Sequence, residues 1–249
     1  MTALALPRQT GLLFPSFEPW RLLRPLRMAI EGQFSPFQRL QGDDIDRRKP
    51  SAATLTTLSL FGQTTGLDAT AEYPASIQAG DVAIIYDGAE SPTGGLVTPS
   101  GYTVLSDIDN GTVFGVVSAK VLIGSETAET VMAANGDSKW VLAVYRGDVA
   151  ITSFTSRSMN EESTSGNPVS QTIAVGSTPS YPALVWANAY SNNTSTFATN
   201  TVGSALTTSN AKHWAGYEIF NSSAANRTFD KNDNGQNVAQ SGYLTFNGL

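Results

Sequence analysis

From Leu55 onward, apolar and polar positions form short runs bounded by turn residues, with no sustained helical spacing. Val82-Ala-Ile-Ile-Tyr86 follows Gly80-Asp81 and stops at Asp87-Gly88. Tyr102 to Leu105 follows Pro99-Ser-Gly101, and Thr112 to Val117 follows Asp109-Asn110-Gly111. The same reasoning predicts strands at Lys120–Ile123, Thr130–Ala133, Trp140–Tyr145, Val149–Phe154, Ser170–Val175, Ala183–Ala189, Lys212–Asn221 and Tyr243–Phe246. Strands at roughly ten-residue spacing predict an all-β fold, a β-sandwich or jelly-roll-like domain. Residues 51–249 are read as this domain, with a subdivision near 150–180 left open.

The first fifty residues follow another pattern. Pro7, Pro15, Pro19, Pro25, Pro36 and Pro50 recur too often for a long helix, because each removes an amide donor and restricts the residue before it. The prediction is an extended N-terminal arm, residues 1–50, with short helical pieces at Trp20–Leu23 and Leu26–Glu31, the second stopped by Gly32. Its apolar load, including Phe14, Phe17, Trp20, Phe34 and Phe37, is too heavy for a solvated linker and needs another surface. That surface is either the chain's own β-domain or a neighbouring subunit; disorder is the remaining alternative. The anchoring set expected for a partner is Phe14, Phe17, Trp20, Arg21, Arg24, Arg27, Phe34 and Phe37, with the aromatics supplying energy and the arginines selecting a groove.

Charge sharpens the division at Pro50. Residues 1–50 carry eight cations and five anions, a net of +3, which leaves −9 for the remainder of a 249-residue chain whose net charge is −6. A basic segment on an acidic body suits nucleic acid, a membrane surface or an acidic protein partner, while the acidic body repels phosphate and argues against nucleic-acid binding by the whole protein. The chain has no cysteine, which excludes disulfide scaffolds, thiolate metal sites and cysteine nucleophiles. The N-terminus MTALALPRQTGLLFP lacks a signal-peptide pattern, and nowhere do about 18 apolar residues run together. A soluble product of the cytoplasm, without a membrane partner, is therefore expected.

Between Gly80 and Gly147 the order is Gly80-Asp81 and an apolar strand, the turn Thr98-Pro-Ser-Gly-Tyr102, a strand ending in Lys120, then Gly124-Ser-Glu126, and finally Trp140 to Gly147. This stretch resembles a β-sandwich domain that recurs in accessory proteins of tailed bacteriophages and in bacterial surface proteins. The resemblance covers about a third of the chain. It implies a virion or surface role and supplies no catalytic residues.

Candidate chemistry is sparse. His213 is the sole histidine, so paired-histidine metal sites are excluded, and no nucleophile elbow lies near it. Glu161-Glu162 and Glu126/Glu129 are formal carboxylate pairs but sit among loop-forming residues. Asp230-Lys-Asn-Asp-Asn-Gly235 fits the first half of a calcium loop, with Asp230, Asn232 and Asn234 as oxygen donors. Its twelfth position is Ser241 rather than glutamate, so an Asx-rich turn is the better reading. Arg146-Gly147-Asp148 is read as a turn after an apolar strand rather than as an integrin-type ligand. No phosphate-cradling glycine motif is present. Tyr181, Trp186, Tyr190, Trp214 and Tyr217 among Asn, Ser and Thr offer stacking platforms for sugar, or else sandwich core.

These features predict a non-enzymatic, cofactor-free structural virion protein of a tailed phage. It would decorate the capsid or form part of a tail or fibre, attached through its arm to other virion proteins and to copies of itself in a homo-oligomer. The alternative is a module binding a host-surface glycan, and a less favoured one a polysaccharide hydrolase.

Overall fold

The computed structural model describes residues 53–90, 96–131, 137–165, 169–176, 181–193, 202–206, 211–231 and 235–248. The chain divides into two units, Met1–Ser51 and Ala52–Leu249. All described residues belong to the second, and the anchoring set Phe14 to Phe37 lies outside them, as do the predicted helical pieces.

The described residues form an all-β structure. One antiparallel sheet comes from the first half: β1 (Leu58–Gly66), β3 (Ala79–Glu90), β4 (Thr103–Asp109), β5 (Val113–Ile123) and β7 (Asp137–Gly147), in the order β1-β7-β3-β5-β4. The second comes from the last hundred residues: β8 (Ile151–Ser165), β10 (Ala183–Ser191), β11 (Ser204–Ala205), β12 (His213–Phe220) and β14 (Gln236–Gly248), in the order β11-β12-β10-β14-β8. Two small ribbons complete it, β2 (Thr70–Glu72) with β6 (Ala128–Thr130), and β9 (Val169–Ile173) with β13 (Arg227–Lys231).

The apolar runs are continuous because both faces of each large sheet are covered. Along β3, Val82, Ile84 and Tyr86 enter a central core with Val141, Ala143 and Tyr145 of β7, and this core continues into Leu184 and Trp186 of β10 and Leu244 of β14. The intervening Ala83 and Ile85 point the other way, joining Trp140, Leu142 and Val144 beneath Ala71 of β2. On the second sheet, Ala183, Val185, Ala187 and Ala189 face outward into a cluster closed by Ile173 of β9 and Phe229 of β13. The period of two is intact, but each phase meets an apolar partner, so burial erases the polar alternation of a half-solvated strand. The halves before and after residue 150 each supply one sheet to the shared central core.

The sheet edges are managed by side chains. Asn221 mimics a strand beside Leu58, accepting from its N–H at 2.9 Å and donating to its carbonyl at 3.3 Å. Across the opposite seam, Glu161 of β8 accepts from Ser106 Oγ at 2.7 Å and from the Asp107 N–H at 3.3 Å. In β8 the register slips opposite Gly242, where Ser158 takes φ +49°, a bulge that twists this long edge strand.

Several strands run longer than the sequence predicts. The pieces Thr112–Val117 and Lys120–Ile123 are one strand, β5, and Tyr243–Phe246 is the end of the thirteen-residue β14. Asp230 lies in strand β13 opposite Ser170, not in an Asx turn; Asn232 and Asn234 fall outside the described residues.

Candidate functional site

The residues that carry the phage-like resemblance converge in two structural clusters. In the first, Arg146 forms a two-pronged pair with Asp81, Nε to Oδ1 at 2.8 Å and Nη2 to Oδ2 at 2.7 Å, and Nη2 also reaches the Ser76 carbonyl. The guanidinium lies 3.8 Å from the Phe61 ring centre. Gly80, at φ +87°, is obligatory there, since a Cβ would stand 2.6 Å from the Ala150 Cβ. In the second cluster, Lys120 pairs with Glu129 at 3.1 Å and Glu126 at 3.6 Å, over the Tyr102 ring. The Tyr102 hydroxyl meets that of Tyr73 at 2.7 Å, and Tyr73 donates to Glu129. Burial pushes both tyrosines above their ordinary range, so they stay protonated donors.

Glu126 closes the Gly124-Ser-Glu turn by accepting from the N–H groups of Ile123, Gly124 and Ser125. Burial pushes its carboxyl up, but these bonds and Lys120 outweigh it and hold the group below the usual range. The carboxylates of Glu126 and Glu129 are thus committed to binding lysine, tyrosine and backbone. Glu161 is likewise committed to Ser106 and Asp107, so none of the three is poised as a catalytic acid or base.

Arg146-Gly147-Asp148 is internally consumed. Arg146 is held by Asp81, and Asp148 accepts from the Thr56 hydroxyl and from the N–H groups of Thr56 and Thr57. Those hydrogen bonds lower its carboxyl to about 2. Neither charge is presented freely, as an integrin-type ligand requires.

His213 occupies a buried polar layer between the sheets. Its Nε2 stands 2.8 Å from Asn188 Oδ1, an acceptor, so Nε2 carries the proton and the buried Nδ1 has no hydrogen-bond partner. Asn188 donates to Gln240 Oε1 at 2.8 Å and to the Asp87 carbonyl at 3.2 Å. Gln240 continues to Ser106 Oγ at 2.7 Å and the Gly115 carbonyl at 2.9 Å, ending at Glu161. Burial, and then the nearby Lys139 charge, push His213 down to about 3. Among the described residues no serine or threonine hydroxyl touches either ring nitrogen, and His213 acts as a hydrogen-bond donor to Asn188.

Of the five candidate sugar platforms, Trp186 and Tyr190 are fully buried, while Tyr181, Trp214 and Tyr217 are partly buried. Trp186 and Tyr190 have no exposed surface, and Tyr217 meets Tyr145 edge-on at 5.5 Å. Trp214 stacks on Phe229 at 4.9 Å. Trp186 and Tyr190 therefore offer no ring face to a ligand. The sandwich reading of these aromatics holds for them, and the glycan platform does not.

One feature escaped sequence reasoning. A cleft of about 600 Å³ opens where β1 ends, lined by Thr64, Thr65, Leu67, Asp68, Thr70, Glu72 and the edge of Trp140. The Trp140 indole N–H donates to the Asp68 carbonyl at 2.9 Å, the Thr65 hydroxyl to the Trp140 carbonyl at 2.9 Å, and the Val131 N–H to the Ala69 carbonyl at 3.0 Å. Gly66 permits this, because a Cβ there would strike the indole. The sole advance signal was the turn Gly66-Leu-Asp68, which carries no partner chemistry by itself.

Among the described residues there is no cluster of three or more metal-ligating side chains, and no helix is long and apolar enough to cross a membrane. Comparisons of the chain with protein-family models, with curated proteins and with solved structures found no match.

Proposed function

We propose that this chain is a structural protein of a tailed-phage virion, attached through residues 1–50 to capsid or tail neighbours and projecting a β-sandwich. The supporting observation is a contrast between the two segments. The body satisfies itself: its sheets are covered on both faces, and the charged groups of its motifs pair internally. Its exposed large hydrophobics, among the described residues, are Leu67, Val97, Val104 and Ile123. The residue types suited to attachment, aromatics and arginines, are concentrated instead in the first fifty residues, at Phe14, Phe17, Trp20, Phe34, Phe37, Arg21, Arg24 and Arg27. Buried aromatic anchors commonly cost about 2 kcal/mol or more when truncated to alanine, so the loss of a single one of them would be measurable.

In this reading the short helical pieces around Trp20–Leu23 and Leu26–Glu31 present the anchors, and the resemblance of residues 80–147 to phage accessory domains supplies the class of assembly. Its motif residues act as fold determinants, Asp81 with Arg146 and Lys120 with Glu126, as a projecting scaffold requires.

The test is deletion of residues 1–50. The remaining chain should unfold cooperatively at close to the full-length temperature yet fail to enter particles. Incorporation of the deleted protein at the full-length level would refute the anchoring role.

A further inference from the structure

The cleft beside β2 has the chemistry of a receptor for a basic segment. Asp68 and Glu72 are exposed on its rim, and each gives the fold only its backbone carbonyl, to Trp140 and Thr64 respectively. Among the described residues neither carboxylate takes a hydrogen bond or an ion pair, unlike Asp81, Glu126, Glu129, Asp148, Glu161 and Glu218. Leu67, half exposed at 53 %, directly precedes Asp68 and lines the same cleft. Two free carboxylates beside an exposed leucine, on a rim pinned by three hydrogen bonds, match a guanidinium with an apolar stem: the fork binds carboxylate and the methylenes lie along the leucine. A sugar is a poorer match, because Trp140 is only 3 % exposed and offers no ring face.

We propose that this cleft receives the Trp20-Arg-Leu-Leu-Arg-Pro-Leu-Arg27 segment of a second copy of the chain, with Asp68 and Glu72 pairing two of Arg21, Arg24 and Arg27. The inference rests on the anchoring role of residues 1–50 and adds an identified receptor. Charge complementarity carries it: the first fifty residues are net +3 and the remainder −9, so copies attract arm to body. Three arginines three residues apart put neighbouring pairs, Arg21 with Arg24 or Arg24 with Arg27, on one face of a helical turn. The chain between Arg24 and residue 53 spans up to about 95 Å when extended, enough to reach a neighbour.

The experiment is a charge swap in the full-length chain, read by sedimentation velocity at low and high salt. One variant carries Asp68→Lys and Glu72→Lys, the other Arg21→Glu, Arg24→Glu and Arg27→Glu. Each alone should weaken self-association about tenfold or more, as expected for losing two rim pairs. Their equimolar mixture should restore it, since each arm then meets a cleft of opposite sign. The milder pair Asp68→Asn and Glu72→Gln should weaken it in the same direction, and thermal unfolding of every variant should match the parent. Unchanged association of the Asp68/Glu72 variants, or a mixture that fails to recover, would overturn the inference. If only the arginine variant loses association, the arm anchors on another surface; the receptor is then wrong while the anchoring role stands. A parent that stays monomeric at all concentrations also overturns the receptor, and incorporation of the arm-deleted chain tests the anchoring role independently.

Discussion

Replacing Asn188 by leucine removes the centre of the inter-sheet polar layer without opening space for a water. Three buried groups then lose their partner: the His213 Nε2–H, the Gln240 Oε1 and the Asp87 carbonyl. Gln240 keeps its two donor bonds, and Asp87 loses only a side-chain contact at 3.2 Å, so these two groups sit at the low end of the penalty. At about 1–3 kcal/mol for each buried group left unsatisfied, the loss is about 3–6 kcal/mol, a large part of the roughly 5–15 kcal/mol available to a domain. Equilibrium urea unfolding, with the slope compared between variants, measures it. Asn188→Ala should cost less if a water enters the vacated site and restores some bonds. A double-mutant cycle with Gln240→Leu should be clearly non-additive, because the two side chains share a 2.8 Å hydrogen bond. A loss below about 1 kcal/mol for Asn188→Leu would show that the layer contributes no net stability and that the apolar core alone holds the sheets.

Two further expectations concern charge. His213 is held neutral, with its folded value lowered from 6.5 to about 3, so its contribution is complete above pH 6.5 and lost as pH falls towards the folded value. Two pH units below 6.5 should remove about 3 kcal/mol, and this acid slope should flatten in His213→Gln, as read by urea midpoints at a series of pH values. Arg146→Met should leave the nearly buried Asp81 carboxylate without its cation and destabilise by about 2–4 kcal/mol, discounted for the guanidinium's partial exposure. A loss under about 0.5 kcal/mol in thermal unfolding would mark the pair as an ordinary surface bridge.

Sequence reasoning read this fold well where both faces of a strand are apolar. Val82–Tyr86 and Trp140–Tyr145 announce themselves through continuous runs and bounding turns, and the structure places them at the centre of the first sheet. It failed where burial is polar. Gln236 to Gly242 carries no strand signal because Asn237, Gln240 and Ser241 look solvent-loving, yet all three have no exposed surface. Gln240 bonds between the two large sheets to Ser106, and Ser241 bonds outward to Gln171 of the β9 ribbon, partners 134 and 70 positions away. No local pattern encodes a partner that distant. β13 was hidden similarly: Asp230 suggested a turn, while Phe229 beside it closes the outer cluster.

Candidate sites divide on the same line. The turn read at Arg146-Gly147-Asp148 begins later than expected: Arg146 and Gly147 are the last residues of β7, paired with Ser59 and Leu58, and only Asp148 lies in the bend that follows, while Asp81 and Thr56 occupy the two charges. The cleft at Asp68 and Glu72 was not legible, since it needs β1, the β2 ribbon and Trp140 of β7 to meet. The anchors of the first fifty residues stand out by composition alone, through the density of aromatics and arginines among prolines.

Side-chain-resolution density of the intact particle tests the central claim most directly. The account predicts that Phe14, Phe17, Trp20, Phe34 and Phe37 are buried against neighbouring virion subunits while the β-sandwich of residues 58–248 projects from that surface. Density showing these five aromatics packed on their own sandwich, with the body itself forming the contact to the particle, would contradict it.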